Sequence, residues 1–451
     1  MRNLIYYLTV AFISMSCYKE WLDVKPNKKM VVASNLEDVR ALLDNTQIMN
    51  MYMPDIGEVG CDDYFVKDEN WASAGSLIQY KNAYLWSSEI FEGETSASWN
   101  NIYQQIFYAN LAIESLSKLP EQELKSPLGN NIHGSALFHR AWAYFQLAQI
   151  FCLPYDQSNA DVQLGLPLRT QSDINLRLER SSLSETYNMI LSDLNMAELL
   201  LPEKQEKNTR PSKASVFALK ANYYLQLQDF VNALLYASKA LEIYNSLIDY
   251  NEINPNQTFP FPQLNKEVIF HSAMIQANVF LPTTLHIDTL LYRTYETNDL
   301  RRELFFWSFA NNLTFRGSYN ANASFFNGFS VDEMLLIKAE CNARLGNSAI
   351  ALSDFNHLQS FRYKSKLYTP ITDISGKELI DLILLERRKQ LLFRGRRWWD
   401  IRRLNKETDY QKVLVRNAEG KVYKLDPSSN QYSLPIPDDV IKLSGIKQNP
   451  R

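Results

Sequence analysis

Two stretches of this chain are copies of one another. Laid over residues 214–241 at an offset of 118, the segment VDEMLLIKAECNARLGNSAIALSDFNHLQSFR at 331–362 matches Ala221 with Ala339, Leu227 with Leu345, Ala233 with Ala351 and Leu234 with Leu352. A third copy precedes both: Ala141 and Leu147, inside FHRAWAYFQLAQIF, repeat the small residue and the leucine six positions on. Small residues let two helices approach closely, a polar break (LQDF, LGNS) turns the chain, and an alanine-rich second helix packs back. Each unit therefore reads as an antiparallel helix pair, and the pattern resembles the tetratricopeptide repeat. The copies are degenerate and far apart, so the expected fold is mostly α: helix pairs forming a scaffold, interrupted by long irregular insertions.

Periodicity locates the rest of the scaffold. Leu36, Val39 and Leu43 share one face of a short helix over 35–45, and Trp99, Ile102, Tyr103, Ile106 and Ile113 form a stripe in the next. A helix follows over 135–151. Another starts at RSSLSETY, where Ser182 and Glu185 have capping-box spacing, and stops before Pro202. A long helix is expected over 377–393, and the last twenty residues read as a loop-like tail. Two regions break the pattern. Residues 51–98 carry four glycines, the acid pair Asp62 and Asp63, and many aromatics, while 251–329 is rich in Pro, Asn and aromatics. Both read as ordered loop insertions within a single domain.

The N-terminus carries a different signal. Arg2 precedes an apolar run over 4–14, and Ser14-Met15-Ser16 leads into Cys17. Eleven residues are too few to span a bilayer as a helix, so 1–16 reads as a signal peptide. An ordinary secretory signal with an incidental cysteine is the alternative. Cys17 stands where a bacterial lipoprotein is acylated, although Ser14 replaces the usual leucine, and the lipoprotein reading is favoured. Several acyl chains, each contributing about 0.8 kcal/mol per buried methylene, would hold such a protein on a membrane. Residues 17–34 then form a tether.

Charge and motif content narrow the function. Lys plus Arg (47) nearly balances Asp plus Glu (50), and removal of 1–16 takes the net charge only from −3 to −4, so nothing global favours nucleic acid. The segment LLERRKQLLFRGRRWWDIRRL at 384–404 could grip a phosphate backbone with its cations and stack bases on Phe393, Trp398 and Trp399. The competing reading is stronger: Ile380, Ile383, Leu384, Leu391 and Leu392 make an amphipathic helix, with Glu386 and Asp400 as partners for the arginines. Four scattered cysteines and five histidines form no metal-ligand spacing, and no cofactor or metal is expected. Catalytic motifs are absent. Asp62 and Asp63 could serve a glycoside hydrolase, but adjacent carboxylates rarely converge on one bond.

Aromatic residues give the better lead. Trp99 and Trp142 lie on helical stripes and belong to the core. Trp71, Trp86 and Trp307, with Tyr64, Tyr80, Tyr292 and Tyr319, fall in the insertions beside Asp63, where binding residues gather on a rigid scaffold. Rings with an apolar face and a polar tip suit sugars, which have C–H faces and hydroxyl edges.

These motifs, in order from CYKEWLDVKP through SWNNIYQQIFYANLAI, ALFHRAWAYFQLAQIF, GLPL, NKEVIF and LLERRKQLLFRGRRWWDIRR to LPIP and QNP, resemble the SusD/RagB family. The resemblance implies a surface lipoprotein of the Gram-negative outer membrane, anchored through Cys17. It implies capture of oligosaccharides, or of peptides as in RagB-like members, and delivery to a SusC-like TonB-dependent transporter that the helix pairs dock on. It also recasts 384–404 as a scaffold signature, and makes the two insertions the expected ligand surface.

Overall fold

A computed structural model describes residues 34–71 and 77–451. The signal peptide, Cys17 and nearly all of the tether lie outside the described residues. Among those described, ten helices have eight residues or more: α1 Leu36–Leu43, α2 Ala97–Leu116, α3 Pro127–Phe151, α4 Leu183–Leu200, α5 Lys213–Gln226, α6 Phe230–Ile243, α7 Val331–Arg344, α8 Ser348–Ser360, α9 Gly376–Gln390 and α10 Arg397–Leu404.

The repeats are helix pairs, α3 on α4, α5 on α6 and α7 on α8, with α6 also packed on α7 to join successive units. Their shared alanines explain why. Ala141, Ala221, Ala233, Ala339 and Ala351 are all fully buried, at the positions where a larger side chain would push two helices apart. Polar signals set the ends: Ser182 caps α4 in a capping box with Glu185, and Ser212 caps α5 through Ser215. The α3 helix begins eight residues earlier than its apolar pattern suggests, because Ser126 caps it and Pro127 occupies its first turn. Trp99 and Trp142 are core, as their helical positions imply.

The insertions are more structured than loops, and they pair with each other. Strand β1 (Tyr64–Val66) comes from the first; β2 (Val268–Phe270), β3 (Leu285–Ile287), β4 (Phe306–Phe309) and β5 (Asn312–Phe315) come from the second. β1 pairs antiparallel with β3, so Phe65 faces His286, and β4 pairs with β5 as a hairpin beside β3. β2 pairs with β6 (Phe329–Ser330), which leads directly into α7 and ties the second insertion to the repeat scaffold. A further hairpin near the C-terminus, β7 (Leu414–Ala418) with β8 (Lys421–Leu425), turns at Glu419-Gly420, both at positive φ. The C-terminal tail contains a helix, Asp438–Ser444, closed by Gly445 in the left-handed region.

The basic signature at 384–404 is a buried ion network rather than the charged face of an amphipathic helix. Glu386 and Asp400 do take part, pairing with Lys389 and with Arg387 and Arg403. Most partners come from elsewhere: Arg394 meets Asp332, Arg396 meets Glu333, Arg403 meets Glu340, and Arg388 and Arg397 reach Asp63 and Asp62. These arginines join α7, α9, α10 and the first insertion. With their donors held inside the protein, they offer no cationic face to a nucleic acid.

Candidate functional site

Where the insertions meet the β7–β8 hairpin there is a groove of about 430 Å³, bounded by Phe65 and Asp288, by Val413, Val415 and Asn417, and by Arg388 and Lys412. Tyr64, Tyr84 and Trp86 form its floor around Arg416. The Arg416 guanidinium lies 3.5 Å from the Tyr84 ring centre, 5.0 Å from that of Trp86 and 5.2 Å from that of Tyr64. It donates to the backbone oxygens of Tyr84 (2.9 Å), Val59 (3.2 Å) and Cys61. A cation desolvated this fully is held by carbonyl dipoles and ring faces together, which fixes the floor. The alternation of β7 puts Arg416 inward and leaves Val415 and Asn417 on the groove.

One wall is electrostatic. Arg397 grips both oxygens of Asp62 (2.6 and 3.0 Å), and Lys412 donates to the same carboxylate at 2.6 Å. Arg388 bonds the Asp63 carboxylate at 2.7 Å and the Asp62 carbonyl at 2.7 Å. Burial pushes the Asp62 carboxyl up, but Arg397, Arg388 and Lys412 outweigh it and hold the group well below the usual carboxylate range. For Asp63 burial wins over Arg388, and its carboxyl is raised.

The aromatics anticipated from sequence fall into three groups. Trp71, Tyr80 and Tyr319 are interior: Trp71 packs on Tyr84, Tyr80 reaches Asp55, and the Tyr319 hydroxyl bonds Glu267 at 2.8 Å. Asp63 is interior as well. The expectation that these four face a ligand is corrected, because long chain segments lacking regular helices are pinned by burying their own rings. Tyr64 and Trp86 are largely buried but lie under the groove, Trp86 with its indole N–H on the Gly60 carbonyl at 2.9 Å. Tyr292 and Trp307 are half-buried on the second insertion. Tyr292 meets Phe306 edge-on under the Arg302 guanidinium, and Trp307 lies 5.4 Å from the ring of Phe309, which is 43% exposed.

Sequence reasoning missed Phe65, His286, Asp288, Arg388 and Lys412. The one available signal was the alternation of Tyr64-Phe65-Val66, which puts Phe65 opposite its buried neighbours.

The Asp62 and Asp63 carboxylates are both engaged by cations. Asp62 is kept ionised by three cations, and Asp63 is covered and bound to Arg388. Glu58, Cys61 and Asp63 bring donor atoms within 4.8 Å of one another, a set that could in principle take a divalent cation. Burial, Glu58 and Asp63 push the Cys61 thiol well up, it points at Glu58 (3.5 Å), and Arg388 already serves Asp63. No helix among the described residues is long and apolar enough to cross a membrane.

Residues 20–225 match a family model described as SusD-like, starch-binding associating with outer membrane, and residues 331–451 match that of the SusD family. The SusD-like protein P38 of Formosa agariphila is 25% identical over 429 residues, covering 78% of this chain and 80% of the relative. A SusD superfamily protein from Bacteroides thetaiotaomicron superposes with a TM-score of 0.75 at 19% identity, over 92% of this chain and all (100%) of the other. Surface glycan-binding protein A from Bacteroides uniformis superposes with a TM-score of 0.69 at 16% identity, over 92% and 99% of the two chains. Two matched regions that flank the second insertion and together take in most of the chain make it a member of the SusD/RagB family.

Proposed function

We propose that this protein is a surface lipoprotein, anchored through Cys17, that captures oligosaccharides in the groove between its insertions and the β7–β8 hairpin and passes them to a SusC-like TonB-dependent transporter. The carrying observation is the groove: half-exposed Phe65 stands at its rim over a floor of rings, and Asp288, Arg388 and Lys412 are placed for hydroxyl edges. Apolar faces with a few fixed polar groups are what a sugar-binding cleft needs. Trp307 with Phe309, and Tyr292, add ring surface on the same insertion. Ring stacking and hydrogen bonding to an oligosaccharide require neither metal nor cofactor, and the locked state of Asp62 and Asp63 supports binding without covalent chemistry. The family description and the glycan-binding relative support a carbohydrate over the peptide that a RagB-like member would take.

The test is a titration of the soluble chain from residue 18 onward, which retains every described residue, against oligosaccharide and peptide panels, with product analysis in parallel. Saturable binding of a glycan without new reducing ends, weakened in Phe65→Ala, supports the reading. New reducing ends would replace it with a hydrolase, and saturation by peptides alone with a RagB-like role. Co-purification from outer membranes with a TonB-dependent transporter tests the partner, and mass analysis of the peptide containing Cys17 tests the anchor.

A further inference from the structure

The wall at Asp62 carries more positive charge than its carboxylates use. A carboxylate offers about four lone-pair positions, and Arg397 alone engages both Asp62 oxygens in the bidentate geometry that satisfies a guanidinium best. Arg388 divides its donors between the Asp63 carboxylate and a backbone carbonyl. Lys412 is added on top of this arrangement. Its side chain is 51% exposed while those of Asp62, Arg388 and Arg397 are 14–15% exposed, and Asp62 takes one of the three donors an ammonium carries. Lys412 is thus the cation that can leave its partner without stranding a buried charge.

Its position matters as much as its redundancy. Lys412 and Arg388 line both the main groove and an adjoining cavity of about 200 Å³, walled by Leu384, Leu385, Arg397 and Tyr410. An elongated ligand lying from Phe65 toward that cavity must pass the Lys412 ammonium. The other carboxylate near this second cavity, Asp381, is paired with Lys377 at 2.9 Å. Asp288, whose backbone N–H bonds the Asp63 carbonyl at 2.9 Å, caps the following helical turn through the Leu291 N–H at 2.6 Å. The junction of the two cavities therefore sets three cations, Lys412, Arg388 and Arg397, against the two carboxylates of Asp62 and Asp63, while Asp381 and Asp288 are engaged by Lys377 and by the Leu291 N–H.

Resting on the groove reading, we propose that the ligand is an acidic oligosaccharide and that Lys412 pairs with its carboxylate. The sugar ring stacks beside Phe65, and the anionic substituent reaches the junction, where Lys412 turns from Asp62 to the ligand while Arg397 continues to neutralise Asp62. Because Arg397 already engages both Asp62 oxygens, half-exposed Lys412 gives up its Asp62 contact at little cost and gains a pair with the ligand carboxylate that a neutral ligand cannot offer, so the lysine contributes selectivity more than raw affinity.

The experiment measures binding of the chain from residue 18 onward to oligogalacturonate, oligomannuronate and chondroitin oligosaccharides, each beside its carboxyl-reduced neutral twin. It is repeated at low and high salt, and with Lys412→Gln and Phe65→Ala. The expected result is that at least one acidic oligomer binds more tightly than its twin, that the margin shrinks with salt, and that Lys412→Gln removes about fivefold, the upper range for a partly exposed ion pair. Equal binding of acid and twin overturns the acid preference alone, provided Phe65→Ala weakens both. A preference that survives Lys412→Gln overturns the assignment to Lys412. Binding that Phe65→Ala leaves untouched overturns the groove reading and the proposal with it, as does the absence of binding by every acidic oligomer.

Discussion

Phe65 stacks on His286 with ring centroids 4.7 Å apart and planes 18° from parallel, one ring from each insertion. The contact lies on the β1–β3 pairing, so the residue that rims the groove also marks the seam holding its two halves together. Both side chains remain half-buried, whereas the rings below them are interior. Phe65→Ala is expected to weaken ligand binding about tenfold while changing the denaturation midpoint little. Trp86→Ala removes a buried ring that braces Arg416 and is expected to destabilise the fold by about 3–5 kcal/mol. Calorimetric titration and chemical denaturation on the two variants separate a contact ring from a support ring. Equal stability losses would undo the distinction.

Arg362 and Glu267 make the same kind of argument for the scaffold. The guanidinium donates to both carboxylate oxygens (2.8 and 3.0 Å), and neither side chain is exposed at all. Removal of one partner leaves a desolvated charge, so Arg362→Ala or Glu267→Ala is expected to cost about 3–5 kcal/mol. Replacement of both by Met and Leu should cost markedly less, because the desolvation penalty disappears with the pair. Urea unfolding of the three variants checks this. A double variant as unstable as the singles would show that the pair contributes net stability rather than only requiring its own completion.

Much of this architecture is legible in the residues and some is not. The alanines at 141, 221, 233, 339 and 351 reveal close helix packing because a small residue at a fixed spacing has few other uses, and Ser182 with Glu185 announces a helix start by local chemistry alone. The partners of the arginines are another matter. Glu386 and Asp400 are visible nearby, but Arg397 ends on Asp62 and Arg396 on Glu333, residues brought together only by the tertiary fold. The same holds for β1 and β3, three residues each and more than two hundred apart, too short for periodicity to register. Abundant loop tryptophans suggest a ligand surface, and Trp71, which is interior, shows where a ring serves another purpose: it is also the most effective means of burying the segment that carries it.

Asp55 supplies a pH dependence. Burial raises its carboxyl to about 7, against 3.8 in the unfolded chain, despite hydrogen bonds from Ser98 (3.1 Å) and Tyr80 (3.5 Å). Between these values the folded protein holds a proton that the unfolded chain has released, so stability falls as pH rises from about 4 to about 7 and levels off above. The full shift corresponds to roughly 4 kcal/mol. Asp55→Asn keeps the shape without the charge and is expected to flatten the stability profile across this window, with its largest gain relative to the parent at neutral pH. Denaturation midpoints at a series of pH values measure it, and parallel profiles for parent and variant would exclude Asp55 as the source.

Gly328 and Gly420 are needed for different reasons, and substitution should separate them. A Cβ on Gly328 would lie 1.9 Å from the Phe270 carbonyl oxygen and 2.9 Å from the Phe326 ring, inside the junction where β2 meets β6. Its own carbonyl accepts from Arg396 at 2.6 Å, so any retreat of the backbone also disturbs the arginine network. Gly420 meets nothing within 4 Å but sits at φ +72 in the β7–β8 turn. Gly420→Ala therefore costs only the left-handed strain of about 1–2 kcal/mol and leaves the core intact. Gly328→Ala has no clash-free alternative and is expected to cost about 3 kcal/mol or more, with loss of ligand binding because the second insertion loses its tie to α7. Thermal unfolding combined with ligand titration distinguishes the two variants. A Gly328→Ala protein as stable as Gly420→Ala would mean that the β2–β6 junction yields, and that the insertion is held instead by its pairing with β1.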